Sequence, residues 1–144
     1  MPQRLISSII EKQTILACSA QLTVSEAADL MKKSDFGAIV VTERGRLVGI
    51  FTERDALTRV IAQGRDPRST QLTEVMTRNP QTIDPNKQFG HALHMMYEGG
   101  FRHVPVVRNG KPVGMISARD VLGPELEDFV AEVRRREHIL EILG

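Results

Sequence analysis

The sequence repeats itself at an offset of 65 residues, and this repeat limits the possible folds more than any other feature. Residues 24–57 align without gaps with residues 89–122, and ten of the 34 aligned pairs are identical. Average residue usage would give about two identical pairs by chance. A unit of about 60 residues buries too little apolar surface to be comfortably stable alone. We therefore expect two similar units packed around a pseudo-two-fold axis, with two equivalent clefts at their junction.

Each unit has the same predicted order of elements, β-α-β-β-α, in a mixed α+β fold. The two apolar runs of a unit flank a turn, which covers residues 43–46 in the first unit and contains Asn109-Gly110 in the second. Asn-Gly between apolar runs is a strong hairpin signal. The first strands are predicted over residues 14–19 and 81–84, and the second helices are predicted to begin at Thr52 and Ser117.

Polar and amphipathic segments outside the repeat predict the division of the chain. Residues 1–64 form the predicted first unit with its N-terminal segment, residues 65–71 a polar linker, residues 72–124 the second unit, and residues 125–144 an amphipathic C-terminal helix. A final amphipathic helix on a complete repeat needs an apolar surface to cover. That surface belongs either to its own domain or to a second protomer.

The composition is that of an ordinary foldable protein, with 41% apolar and 26% charged residues and a formal net charge of +1. The near-zero charge makes a nucleic-acid partner unlikely, and no apolar run reaches the ~18 residues that span a bilayer. The single cysteine cannot form an internal disulfide, and the first residues lack the anatomy of a signal peptide. We therefore expect a cytoplasmic protein with no membrane partner.

The most informative motif is the string Gly-h-h-(Thr/Ser)-x-Arg-Asp, where h is apolar, which occurs at residues 49–55 and 114–120. One interpretation is a helix cap alone, because Thr or Ser followed three residues later by an acid begins many helices. A second interpretation is a ligand site. The carboxylate could accept bonds from both hydroxyls of a ribose, and the glycine would let a flat ring approach the backbone. The duplication of the string favours the ligand site.

These strings, the tandem units and the segment Phe-Arg-His-Val-Pro-Val-Val at residues 101–107 resemble a CBS-domain pair, or Bateman module, over residues 5–123. The resemblance implies two clefts that bind adenosine-containing ligands such as AMP, ADP, ATP, S-adenosylmethionine or NAD-type dinucleotides. It also implies a regulatory role towards an associated protein, and a homodimer. We therefore expect a regulatory module that binds adenine nucleotides reversibly, with AMP favoured, and no enzyme, catalytic cofactor or metal site.

The resemblance also assigns candidate residues to the two clefts. In the first, Thr52 and Asp55 would bind the ribose, Arg102 and His103 would face phosphate, and the walls would be Thr82, Ile83, Val104 and Pro105. In the second, Ser117, Arg119 and Asp120 would carry the ribose site, and the walls would be Ala17, Cys18, Ala38 and Ile39. Gly37 and Ala38 replace the basic pair there, so Lys12 would have to compensate. We therefore expect the Asp55 cleft to bind more strongly.

Two other functions stay open from the sequence. An enzyme that transfers or hydrolyses phosphoryl groups is disfavoured, because the chain has neither an acidic metal cluster nor a positioned general base. A structural homodimer with vestigial clefts is the main alternative, and the amphipathic C-terminal helix supports it. His103 has a purely structural alternative on its strand, and Pro105 is equally consistent with an edge strand.

Overall fold

Two α+β units, built from the repeated halves of the sequence, make up the computed structural model, which describes residues 4–143. Residues 1–3 and 144 belong to the predicted first unit and C-terminal helix and lie outside the described residues. The elements in chain order are α1 (Ile6–Ile10), β1 (Ala17–Ser19), α2 (Val24–Ser34), β2 (Ala38–Glu43), β3 (Arg46–Thr52), α3 (Glu53–Asp55, continued by a π-helix, Ala56–Ile61), α4 (Leu72–Val75), β4 (Thr77–Arg78), α5 (Phe89–Gly99), β5 (His103–Arg108), β6 (Lys111–Ser117, followed by a 3-10 turn, Ala118–Asp120) and α6 (Gly123–Leu143).

The first strand and the hairpin pair in the same way in the two units, which confirms the predicted α+β repeat. The first has a four-stranded sheet in the order β1-β2-β3-β4, where β1 runs parallel to β2 and the other pairs are antiparallel. The second has the β5-β6 hairpin and one parallel bridge between Ile83 and Val106. This bridge corresponds, at the offset of 65 residues, to the β1-β2 pair of Cys18 and Val41. The strand predicted over residues 81–84 is thus reduced to a single bridge.

Both hairpins turn through two residues with positive φ. The values are 53° and 78° at Arg44 and Gly45, and 53° and 79° at Asn109 and Gly110. Two positive φ angles in succession define the type I′ turn, whose twist matches that of the flanking strands. Asn-Gly adopts this turn readily, which is why the second hairpin is so clear in the sequence.

The two hydrophobic cores exchange short segments between the units. Ile6 of α1 is fully buried in the core of the second unit, together with Phe89 of α5. Leu72 and Val75 of α4 are buried in the core of the first unit. Each unit thus completes its core with the segment that precedes the other unit along the chain.

Backbone bonds hold this exchange in a reciprocal pattern. Leu5 pairs with Gln88 just before α5, and Gln71 pairs with Thr23 just before α2. Because the two pairings are equivalent, the units are related by an approximate two-fold axis. Residues 72–78, assigned from sequence to the second unit, pack on the first, and neither α4 nor β4 was predicted. The predicted sequence boundaries therefore do not coincide with the packing units in this region.

The C-terminal helix α6 packs against α5 as far as Glu137. Phe129 lies in edge-to-face contact with His94 and Tyr97 of α5, at ring-centroid distances of 5.0 and 5.8 Å. Beyond Glu137, whose carboxylate accepts a hydrogen bond from the Tyr97 hydroxyl, the helix continues for more than a turn. Within residues 4–143, no helix is both long and apolar enough to cross a membrane.

Candidate functional site

A cleft of about 490 Å³ lies between the two units, and we call it the Asp120 cleft. The first unit contributes the segment before β1, the start of β2 and the start of α3. The second contributes the start of β5, the end of β6 and the 3-10 turn. The lining residues are Gln13, Thr14, Ile15, Leu16, Asp35, Phe36, Gly37, Ala38, Val40, Glu53, Arg102, His103, Met115, Ser117, Ala118, Arg119 and Asp120.

The 3-10 turn holds the Asp120 carboxylate at the edge of this cleft. The Ser117 amide donates to Asp120 Oδ2 at 2.8 Å, and the Arg119 amide donates to Ser117 Oγ at 3.0 Å. Two bonds within four residues fix the turn, so the acid is oriented before any ligand arrives. Asp120 is partly exposed, and its carboxylate is available to hydroxyl donors in the cleft.

An arginine from the exchanged N-terminal segment braces the same turn. The Arg4 guanidinium donates to the Asp120 carbonyl at 2.7 Å and to the Glu125 carboxylate at 2.6 Å. The Arg4 side-chain hydrogen bond, acting against the desolvation that comes with partial burial, holds the pKa of Glu125 below its usual value. The first residues of the described chain therefore help to position the Asp120 turn.

The equivalent acid, Asp55, is buried. The Thr52 amide donates to Asp55 Oδ2 at 3.0 Å, as in the second unit, but Asp55 is only 8% exposed. The Arg59 guanidinium lies 3.6 Å from Asp55 Oδ1, where it pairs with the carboxylate. Thr52 and Asp55 line neither the Asp120 cleft nor a smaller cavity of about 330 Å³ beside it. This accessibility is opposite to the expectation that the Asp55 cleft binds more strongly.

Arg102 and His103 lie in the Asp120 cleft, not with Asp55 as expected from the resemblance. The reason is the register of the β5-β6 hairpin, in which His103 is paired with Ser117. The hairpin therefore places the basic pair beside the Ser117–Asp120 turn of its own unit. The assignment of these two residues to the Asp55 cleft was wrong.

Burial disfavours the charged form of His103. Burial lowers its pKa below the usual value of 6.5; the Glu53 carboxylate opposes this shift, and Arg119 adds to it. Asp120 and Arg102 also act on His103, in opposite directions. The fixed cations of the cleft are therefore the two guanidinium groups of Arg102 and Arg119.

The wall residues expected around Asp120 are partly displaced along the strands. Ala38 lines the cleft, but Ile39 is fully buried in the first core, and the lining strand residue is Val40. Side chains alternate along a strand, so a shift of one residue moves the side chain to the other face. Cys18 likewise packs against the core, and burial raises its pKa to about 11. Three expected residues, Lys12, Ala17 and Cys18, are not among the lining residues.

The wall residues expected around Asp55 do not line either described cavity. Ile83 and Val104 are buried in the second core, at 4% and 0% exposure. Pro105 is also buried, and its carbonyl accepts a hydrogen bond from the Ile83 amide at 3.0 Å. Thr82 is exposed. The parallel pairing of residue 83 with β5 therefore buries Ile83, Val104 and Pro105.

The glycines of the repeated strings serve packing between the units. A Cβ at Gly49 would lie 2.6 Å from the Met76 sulfur, and one at Gly114 would lie 2.6 Å from Ile10 Cγ2. Met76 and Ile10 belong to the two exchanged segments, and they pack on the glycines of β3 and β6. The expectation that these glycines admit a flat ligand ring was wrong, because protein side chains fill the space.

Several lining residues were not found from the sequence, above all Glu53, Asp35 and Phe36. The repeat itself could have pointed to Glu53, because at the offset of 65 residues the two units differ in charge there: Glu53 aligns with Ala118, and Gly37 aligns with Arg102. No group of three or more His, Cys, Asp or Glu side chains that could hold a metal ion occurs in the described part of the chain.

Comparison with known proteins agrees with this architecture. The family model for the CBS domain matches twice, over residues 6–62 and 72–124. The chain belongs to the CBS-domain family. The CBS domain-containing protein YhcV of Bacillus subtilis is 36% identical over 118 residues, which cover 81% of this chain and 84% of YhcV. The mitochondrial CBS domain-containing protein CBSX3 of Arabidopsis thaliana is 34% identical over 125 residues, or 83% of this chain, and the match spans 61% of CBSX3.

Solved structures of CBS-domain pairs have the same fold. The CBS domain protein PAE2072 of Pyrobaculum aerophilum, complexed with AMP, superposes with a TM-score of 0.79 at 27% identity, over 89% of this chain and 99% of that one. The CBS domain pair of protein MJ0100, in complex with 5′-methylthioadenosine and S-adenosyl-L-methionine, gives a TM-score of 0.75 at 26% identity, over 83% and 93% of the two chains.

Proposed function

We propose that this chain is a regulatory module that reversibly binds an adenosine-containing ligand in the Asp120 cleft. The observation that carries the proposal is the Ser117–Asp120 turn, which presents an oriented carboxylate to a cleft between two CBS repeats. A carboxylate can accept hydrogen bonds from two neighbouring ribose hydroxyls, and bonds to a charged group are stronger than neutral ones. The adenosine ligands named for PAE2072 and MJ0100 support this chemistry.

The remaining lining residues fit the other parts of such a ligand. Ile15, Leu16, Val40 and Met115 offer apolar surface for a base. The guanidinium groups of the cleft offer planar, permanently charged donors for a phosphate. We favour AMP, because the cleft holds only two fixed cations. We propose binding without catalysis.

The regulatory signal would come from the relative arrangement of the repeats. Both repeats contribute walls to the cleft, so a ligand that fits one arrangement better than another shifts the balance between them. A ligand with equal affinity for both arrangements would transmit nothing. An associated protein that contacts both repeats would respond to this change.

Thermal melting with AMP, ADP, ATP, NADH and S-adenosylmethionine tests the proposed function. A ligand at 100 times its dissociation constant adds about 2.7 kcal/mol to the free energy of unfolding. For a chain of this size we therefore expect the midpoint to rise by about 5–11 °C with at least one of these compounds. GTP serves as the control for general phosphate effects. No shift with any adenosine compound at millimolar concentration contradicts the proposal.

A homodimer through the end of α6 is a second candidate role, and one observation favours it. Ile139, Leu140, Ile142 and Leu143 are 54–77% exposed where the helix extends beyond α5. A terminal patch of large apolar side chains is typical of an interaction surface. We propose that the end of α6 binds a second copy of this chain.

Removal of residues 138–144 is expected to convert the dimer into a monomer, as measured by light scattering after size-exclusion chromatography. The cut spares Phe129 and Glu137, which bind α6 to α5. A variant with Glu141→Lys alone controls for changed charge at the helix end. A truncated protein that keeps the dimer mass would place the interface elsewhere.

A further inference from the structure

Glu53, the first residue of α3, brings a carboxylate to the junction of the two repeats. Its amide donates to the Gly37 carbonyl at 2.9 Å. Its side chain lies over the same glycine, where an added Cβ would be 3.0 Å from Glu53 Oε1. Glu53 lines both the Asp120 cleft and the smaller cavity beside it. The glycine therefore leaves the space that this carboxylate occupies.

The second repeat has the opposite arrangement at the equivalent pair. There the Ala118 amide donates to the Arg102 carbonyl at 3.0 Å, in the same backbone bond. A small residue and an arginine thus stand where the first repeat has an acid and a glycine. At the position of Gly37 the second repeat has a large cation, Arg102. At the position of Glu53 it has a small neutral residue, Ala118.

These two differences between the repeats affect the charges that line the Asp120 cleft. Its lining contains three carboxylates, from Asp35, Glu53 and Asp120, against two guanidinium groups. Asp120 is already assigned to the ribose under the proposed function. Under the proposed function, the 5′ group of the ligand would extend from the ribose at Asp120 into a lining that holds the other two acids together with Arg102 and Arg119. A long polyphosphate would bring more negative charge than these two cations offset.

We propose that Glu53 is a specificity-determining residue of the Asp120 cleft, which selects adenosine ligands with a neutral, zwitterionic or singly phosphorylated 5′ group over the di- and triphosphates. This inference rests on the proposed function of the cleft. Like charges that face each other in a binding site oppose association. The repulsion grows with each added phosphate, so Glu53 disfavours ATP more than AMP and leaves adenosine unaffected.

Isothermal titration of the full chain with adenosine, AMP and ATP, for the wild type and Glu53→Gln, tests the inference. Glutamine keeps the shape of the side chain and removes only its charge. We expect the affinity for ATP relative to AMP to rise about tenfold in the variant. The affinity for adenosine should stay unchanged, and the change in ratio should shrink as salt is raised. Glu43→Gln, at the exposed end of β2 and outside the cleft, is the matched control.

The outcomes separate this inference from the proposed function. An unchanged ratio of ATP to AMP affinity in Glu53→Gln, with adenosine binding intact, overturns the role of Glu53 and leaves the function standing. The same rise in Glu43→Gln also overturns it, because the effect would then be one of net charge. If the wild type binds none of the three compounds, the proposed function and the inference fail together.

Discussion

Asp120→Ala is expected to abolish the thermal shift that an adenosine ligand produces. The carboxylate is the group proposed to accept both ribose hydroxyls, and each hydrogen bond to a charged group is worth about 1.5–3 kcal/mol. Loss of two such bonds lowers affinity by more than about a hundredfold. At a ligand concentration 100 times the wild-type dissociation constant, the stabilisation then almost disappears. The measurement is the melting midpoint with and without ligand.

Two further variants distinguish ligand contact from loss of the turn. Asp120→Asn keeps an oxygen that can accept from the Ser117 amide, so its ligand-free midpoint should stay near that of the wild type while its ligand shift falls. Asp55→Ala should leave the ligand shift intact, since Asp55 is covered and paired with Arg59. A shift lost in Asp55→Ala and kept in Asp120→Ala would place the ligand at the other end of the repeat interface.

Ile6→Ala is expected to lower the free energy of unfolding by about 2–5 kcal/mol, the usual cost of emptying a large core position. Ile6 is fully buried in the core of the second repeat, although it precedes the first repeat in sequence. Because its partners are fixed by the rest of that core, the cavity can collapse only in part. Urea denaturation measures the loss, and the melting midpoint should fall by roughly 2–4 °C for each kcal/mol.

The neighbouring residue supplies the control for this experiment. Leu5 is 45% exposed, so Leu5→Ala removes a side chain of the same size from a position that packs much less. We expect a loss well below that of Ile6→Ala. Equal and small losses in the two variants would contradict the exchange of segments between the repeats.

The local signals of the sequence predicted local structure well. The offset of 65 residues predicted two equivalent units, and Asn109-Gly110 predicted a hairpin, because this dipeptide adopts the two positive φ angles of the turn at little cost. The strings ending in Asp55 and Asp120 predicted helix starts, and both acids accept from the amide three residues before them. The prediction holds for α3, but the helix predicted to begin at Ser117 is only a 3-10 turn, and α6 begins later, at Gly123. The turn and the capping bonds depend on residues close together in the chain.

The site could be predicted only in part, since its walls depend on strand register and on contacts between distant residues. The sequence located the Ser117–Asp120 turn, but it did not show that Arg102 and His103 lie beside this turn. The resemblance assigns Ile39 to the wall, but the structure has Val40 there, because one step along a strand exchanges the two faces. In the sequence, Glu53 is marked only by its place at a predicted helix start.

The sequence alone determined the duplicated α+β units, their hairpins and the paired acids, because these follow from local conformational preference and from repetition. Only the tertiary structure decided which acid faces an open cleft. The two strings share their Gly, Arg and Asp and a hydroxyl residue, but Asp55 pairs with Arg59 and Asp120 meets a turn braced by Arg4. Arg59 lies only four residues after Asp55, whereas Arg4 reaches the Asp120 turn from the other end of the chain, through the exchanged N-terminal segment. The repeat pattern does not specify this second contact, because it depends on how the two units pack.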